Sequence, residues 1–155
     1  MIILSKLADY GVIVAVHLAA HRERQVTATA IAAATKLPPA TVAKVLKGLA
    51  HAGLVTATRG ATGGYRLMRS PAEISVAEVV AAIDGDIGMT QCSVHVSDCD
   101  RTNFCPTRPH WTAINRAVGT ALSAITLADM LSPFAFAPPP TAIAQALPTS
   151  QEAPR

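Results

Sequence analysis

The 155-residue sequence predicts a mainly α fold, a winged helix-turn-helix with a small β-hairpin wing, a cysteine loop and a long C-terminal dimerisation helix. Three observations predict it. Apolar residues return at helical spacing through three segments before residue 52. Two short strand-like runs, LVTAT and YRL, flank the basic, glycine-rich stretch R-G-A-T-G-G. The apolar half of the composition is mostly alanine and valine, with only 4% aromatic residues, which favours closely packed helices.

Ser5 to about His21 is expected to be the first helix, with Leu7, Ile13, Val14, Val16 and Leu18 on a broad apolar face. The polar run HRERQ ends it. Thr27 is placed to cap a short second helix that buries Ile31 and Ala34. In T-K-L-P-P the two prolines forbid continuation, yet proline suits a first helical turn, so a third helix starts near Pro39 and runs to about His51. Its inner stripe is Val42, Val45, Leu46 and Leu49, and Gly53 stops it. Ser75 and Glu78 form a capping box that opens a fourth helix to about Ile83. After the cysteine loop, Pro106 and Pro109 open a long helix expected to end before Pro133. Its residues Trp111, Ile114, Val118, Ala121, Ile125 and Ala128 are spaced as an a/d seam, which suits pairing with a second copy or packing along the domain. The chain thus divides into residues 1–70, a winged helix-turn-helix DNA-binding region, residues 71–132, the cysteine loop and dimerisation helix of the same domain, and a Pro/Ala-rich tail, 133–155, expected to be disordered.

The net charge of +3 is unevenly spread. Residues 1–70 carry nine Lys and Arg against Asp9 and Glu23, a formal +7, whereas residues 71–155 carry four Arg against eight acids, a formal −4. The basic half is a candidate face for double-stranded DNA. On the third helix, Ala40, Thr41, Ala43, Lys44 and Lys47 form the surface that a recognition helix turns to base edges and phosphates. On the hairpin, Arg59 is placed to enter a narrow minor groove, and Thr62 and Gly63 sit beside it at the tip. No nucleophile–base–orienter set and no P-loop is present, so no catalysed reaction is expected.

The opening MIILSKLADYG lacks a cleavage-site pattern, and the apolar stretch Tyr10–Ala20 is too short to span a bilayer, so a cytoplasmic chain without membrane contact is expected. Thiols stay reduced there. Every cysteine of the chain, Cys92, Cys99 and Cys105, falls in CSVHVSDCDRTNFC with spacing C-x6-C-x5-C. Three thiolates and one N or O ligand would suit zinc, but the spacings exceed the usual zinc knuckle, and an iron–sulfur cluster accepts wider spacing. A cluster-free thiol switch and a zinc-stabilised interaction module are the alternatives.

The frames L-S-K-L-A-D-Y and L-x-H-A-G-L-V-x-x-x-R-G-A-x-G-G-Y, the S-V-A-E-V-V-x-A-I helix, the three-cysteine loop and the helix after it together resemble the IscR-type (Rrf-two) family of bacterial winged-helix regulators, over about residues 1–131. The segment C-S-V-H-V-S-D-C…C-P-T-R-P-H-W-x-x-I-N-R-A-V…I-T-L-A-D-M is most similar to the branch regulating SUF iron–sulfur cluster assembly. The resemblance implies a homodimer that holds a 2Fe–2S or 4Fe–4S cluster through Cys92, Cys99 and Cys105 and controls promoters accordingly, although some members lack a cluster. Where the IscR members of the family carry a histidine three residues after the third cysteine, this chain has Arg108. Nitric-oxide-sensing relatives use an aspartate of the partner subunit's first helix, and the matching residue here is Asp9 in A-D-Y. His110 is the rival fourth ligand and His95 comes third. The other role open to Asp9 is an ion pair with Lys6 on the helix surface.

Overall fold

The computed structural model describes residues 4–60, 62–88, 90 and 104–132. Helix α1, Lys6–Ala20, starts where the Ser5 hydroxyl accepts the Ala8 N–H at 3.0 Å. It buries Ala8, Val12, Val14, Ala15, Leu18 and Ala19. Helix α2, Ala28–Thr35, is capped by Thr27, whose hydroxyl accepts the Ala30 N–H at 3.2 Å. Ile31 is buried as expected, but Ala34 is exposed and Ala32 is buried in its place. The inward stripe of α2 is the i, i+3, i+4, i+7 set Ala28, Ile31, Ala32 and Thr35, which leaves Ala34 on the other side.

Helix α3 runs Pro39–His51 with proline at its first turn. Val42, Val45, Leu46 and Leu49 have no exposed surface, and full burial of such a side chain contributes about 1.5–3 kcal/mol. Two hydrogen bonds close its C-terminus, from Leu54 N–H to Leu49 O at 2.9 Å and from Gly53 N–H to Ala50 O at 3.1 Å. They require the left-handed backbone that Gly53 adopts, φ 71°.

Strands β1, Val55–Thr58, and β2, Gly64–Leu67, pair antiparallel with Val55 opposite Leu67 and Thr58 opposite Gly64. Val26 lies along the other edge of β2, exchanging two backbone hydrogen bonds with Tyr65 at 2.8 and 3.0 Å. A short 3-10 turn, Pro71–Glu73, then leads to α4, Val76–Asp84. Both open on capping boxes, Ser70 with Glu73 and Ser75 with Glu78. Burial raises the Glu78 carboxyl, but the backbone and hydroxyl of Ser75 and the Arg69 guanidinium outweigh it, so Glu78 lies below the usual glutamate value.

Helix α5 is Arg108–Ser123, and here the expected single helix to Pro133 divides. Ile125 O accepts the Val76 N–H at 2.8 Å, and Leu127 N–H donates to Ile74 O at 2.9 Å, so the chain at 125–127 is drawn alongside Ile74–Val76. A third capping box, Thr126 with Asp129, then starts α6, Leu127–Leu131. Leu127 is fully buried at the join.

One core joins α1, α3, α4, the strands and α6. Ile83 of α4 packs into a notch between α1 and α3 made by two glycines. A Cβ at Gly11 would lie 2.9 Å from Ile83 Cγ1, and one at Gly48 would lie 3.0 Å from its Cδ1. The Ser5 hydroxyl also donates to Asp84 Oδ1 at 2.7 Å, tying the start of α1 to the end of α4. No helix among the described residues is long and apolar enough to cross a membrane.

Candidate nucleic-acid interface and cysteine site

Helices α2 and α3 meet through the turn Lys36–Pro38, with Lys36 in the left-handed region at φ 56°. Because Val42, Val45, Leu46 and Leu49 fix the buried stripe of α3, helical period places Ala40, Ala43, Lys44 and Lys47 outward, and all four are exposed. Thr41 is half-buried. Lys44 and Lys47 also border a groove of about 580 Å³ whose apolar wall includes Leu7, Ala82 and Ile83. Neither lysine is in an ion pair among the described residues, so both ammonium groups keep their charge for an external anion.

The wing tip brings Arg59 and Thr62 to the surface. Gly63 N–H donates to Gly60 O at 3.0 Å, and a Cβ on Gly63 would fall 2.3 Å from Thr58 O. Glycine at 63 therefore lets the hairpin fold back tightly enough to project Arg59. Sequence reasoning passed over the body of the wing. The register sets Thr56 of β1 opposite Arg66 of β2 on the face away from buried Val55. The signal lay in the alternation of T-A-T and Y-R-L, which is short and easily missed.

The cysteine site is described only in part. Cys92, Cys99 and His95 lie outside the described residues. Cys105 is half-buried just before α5, its Sγ 3.3 Å from Thr107 Oγ1. His110 is exposed in the first turn of α5. Asp9 is exposed on α1 and forms no ion pair with Lys6. Among the described residues no three His, Cys, Asp or Glu side chains converge on a metal position. The donor types nonetheless fit a thiolate-rich cluster. The Cys105 sulfur lies beside the Thr107 hydroxyl, and the Asp9 carboxylate forms no ion pair among the described residues. Asn115 of α5 donates to Ile87 O at 2.8 Å, so the segment leaving α4 toward the cysteines is anchored to the helix that follows them.

Residues 4–133 match the family model Rrf2, described as iron-dependent transcriptional regulator. The chain belongs to the Rrf2 family. Its relatives are transcriptional regulators and not enzymes, and this Rrf2 protein is accordingly a DNA-binding transcription regulator with a winged-helix fold. The HTH-type transcriptional regulator IscR of Vibrio atlanticus is 35% identical over 83 residues, which cover 54% of this chain and 47% of that relative. The chain therefore spans about half the length of the Vibrio IscR sequences it matches. IscR of T. potens is similar in structure, with TM-score 0.67 and 30% identity over 85% of this chain and 88% of that one. CymR of B. subtilis, the global cysteine regulator, has TM-score 0.68 and 28% identity over 85% of this chain and 98% of that one.

Proposed function

We propose that this Rrf2 protein is a homodimeric regulator that senses iron–sulfur cluster status and controls cluster-assembly (SUF) genes. The observation that carries this reading is the set of exposed cations, Lys44 and Lys47 on α3 and Arg59 on the wing, in a chain that places all three cysteines between α4 and α5. Lys44, Thr41, Ala40 and Ala43 meet base edges, Lys47 meets phosphate, and Arg59 with Thr62 and Gly63 enters the minor groove. Cys92, Cys99 and Cys105 are the protein's thiolate ligands. Asp9 of the partner subunit is the fourth ligand, with His110 the alternative. A cluster supplies a redox- and oxygen-sensitive group when bound. The chain's own part is to report on the 88–106 segment, which begins just after Ile87, the residue that Asn115 ties to α5. Because α4 packs on α3 through Ile83 and Gly48, a change in that segment alters how the two recognition helices of a dimer are spaced.

Anaerobically purified protein is expected to be brown and to contain sulfide, and Cys92→Ala to lose the visible absorbance. Asp9→Ala should change the cluster spectrum or its lifetime in air. If His110→Ala alone does so, the fourth ligand is His110. Colourless, sulfide-free protein that still binds its own upstream promoter would favour a second reading, a thiol switch without a cluster. The likeness to CymR, a cysteine regulator, supports that second reading.

A further inference from the structure

We propose that the DNA contact continues down the solvent face of the wing, with Arg66 as a phosphate-binding residue and Arg22 beside it. This rests on the DNA-binding reading of α3 and the wing tip. Strand alternation and the register Thr56↔Arg66, Thr58↔Gly64 put Thr56, Thr58 and Arg66 on one side of the hairpin, opposite the side that carries buried Val55. Arg22, from the turn between α1 and α2, reaches the same place. Arg22, Thr56 and Arg66 line one open cleft of about 420 Å³ together with Leu67 and Met68.

The charges in this cleft are not used internally to the same degree. Arg69, three residues beyond Arg66, is held by Glu78 and by the carbonyl of Glu73. Arg22 shares its charge with Glu23 at 2.9 Å. Arg66 is exposed and in no ion pair among the described residues. The basic half of the chain holds only two acids, Asp9 and Glu23, and Glu23 is taken by Arg22. Hydroxyl and guanidinium donors in one row match phosphate oxygens, which arginine takes in bidentate fashion.

Continuity selects the ligand. Thr58 directly precedes Arg59, and a rise of about 3.4 Å per residue sets the Thr56–Arg66 row roughly 7 Å from the Thr58 row. That is the axial reach of about two nucleotides along one strand, at about 3.4 Å each. A duplex whose minor groove receives Arg59 therefore presents its flanking phosphodiesters to Arg66.

The test is fluorescence anisotropy on two duplexes, the DNA upstream of the protein's own gene and a mixed-sequence control, with salt varied over about 0.05–0.2 M. Arg66→Ala is expected to reduce the slope of log affinity against log salt by about 0.9, the value of one phosphate contact. At 0.1 M salt this corresponds to roughly eightfold weaker binding, if the curves converge near 1 M. Both duplexes should lose the same factor, because a phosphate contact carries no sequence information. Arg22→Ala should act in the same direction but less, and Arg66→Lys should keep most of the slope. Arg116→Ala, on α5, removes equal charge elsewhere and should leave the slope alone. An unchanged slope in Arg66→Ala, with unchanged circular dichroism, overturns the proposal and leaves the face to an acidic protein surface. An equal loss in Arg116→Ala also overturns it, since net charge alone would then be responsible. Wild-type protein that binds neither duplex defeats the DNA reading itself and this strip with it.

Discussion

His17 and His21 stack near the end of α1, their ring centroids 4.4 Å apart, with His21 Nδ1 2.8 Å from His17 O. Burial lowers the His17 pKa first, and the neighbouring His21 and Arg24 lower it further, because each disfavours a second positive charge there. The unfolded chain then binds a proton more readily than the folded one. Stability is therefore full above the ordinary histidine value of about 6.5 and is lost as pH falls through it toward the lower folded value. The thermal midpoint should drop between pH 7.5 and 5.5 more steeply for the wild type than for His17→Gln. Parallel curves for the two proteins would exclude His17 as the cause. At this same scale, sequence alone picked out Lys44, Lys47 and Arg59, because cations on a helix or wing with few acids nearby have nowhere internal to go. Which arginine of the wing is engaged was not legible, since Arg69 meets Glu78 only after the chain has turned through Pro71–Glu73 into α4.

Among the elements, α3 is defined most tightly by local chemistry. Proline opens it, four buried aliphatic residues set its face, and Gly53 closes it. A Cβ at Gly53 would have no atom within 4 Å, so the cost of a side chain there is backbone strain alone. Gly53→Ala is expected to destabilise the fold by about 1 kcal/mol, and Gly53→Asn by less. Denaturant unfolding measures both, and no difference from wild type would show that the α3 terminus tolerates right-handed backbone. The start of α1, α2 and α4 was equally legible, because Ser5, Thr27 and Ser75 each cap within three residues. The end of α5 was not. The apolar spacing from Trp111 to Ala128 runs without interruption, yet the helix stops at Ser123. Its local hint was the T-L-A-D box, and the deciding bonds come from Ile74 and Val76, about fifty residues earlier in sequence.

For the molecule as a whole, α5 is the element the single chain leaves least covered. It buries no residue completely, Ile114 is 42% exposed, and Trp111 and Val118 are half-buried. The a/d seam is shorter than expected, since Ile125 lies beyond the helix and packs on the core instead. Trp111, Ile114, Val118 and Ala121 remain as the stripe that a second copy would cover. Ile114→Arg should shift sedimentation equilibrium from dimer toward monomer without lowering helical content, and should abolish binding to a two-fold site. Wild-type protein that sediments as a monomer would remove the dimer, and with it the assignment of Asp9 as a ligand from the partner. The packing that the proposed signal would use is also a property of the whole. Ile87 is bonded to Asn115 of α5, and Ile83 of α4 packs against Gly48 of α3.

The sequence by itself determined the order and type of the elements from α1 to the start of α5, the basic first half and the grouping of the three cysteines. These depend on capping bonds, helical and strand periods and charge within a few residues of each other, which spacing records directly. Only the tertiary structure decided that Ala32 rather than Ala34 faces inward, that the last helix breaks before Thr126, and that Arg66 stays available while Arg69 does not. The helix break rests on Ile74 with Leu127, and the engagement of Arg69 on Glu78, partners that belong to other elements. A pattern read along one segment cannot supply the hydrogen bonds and packing that come from another.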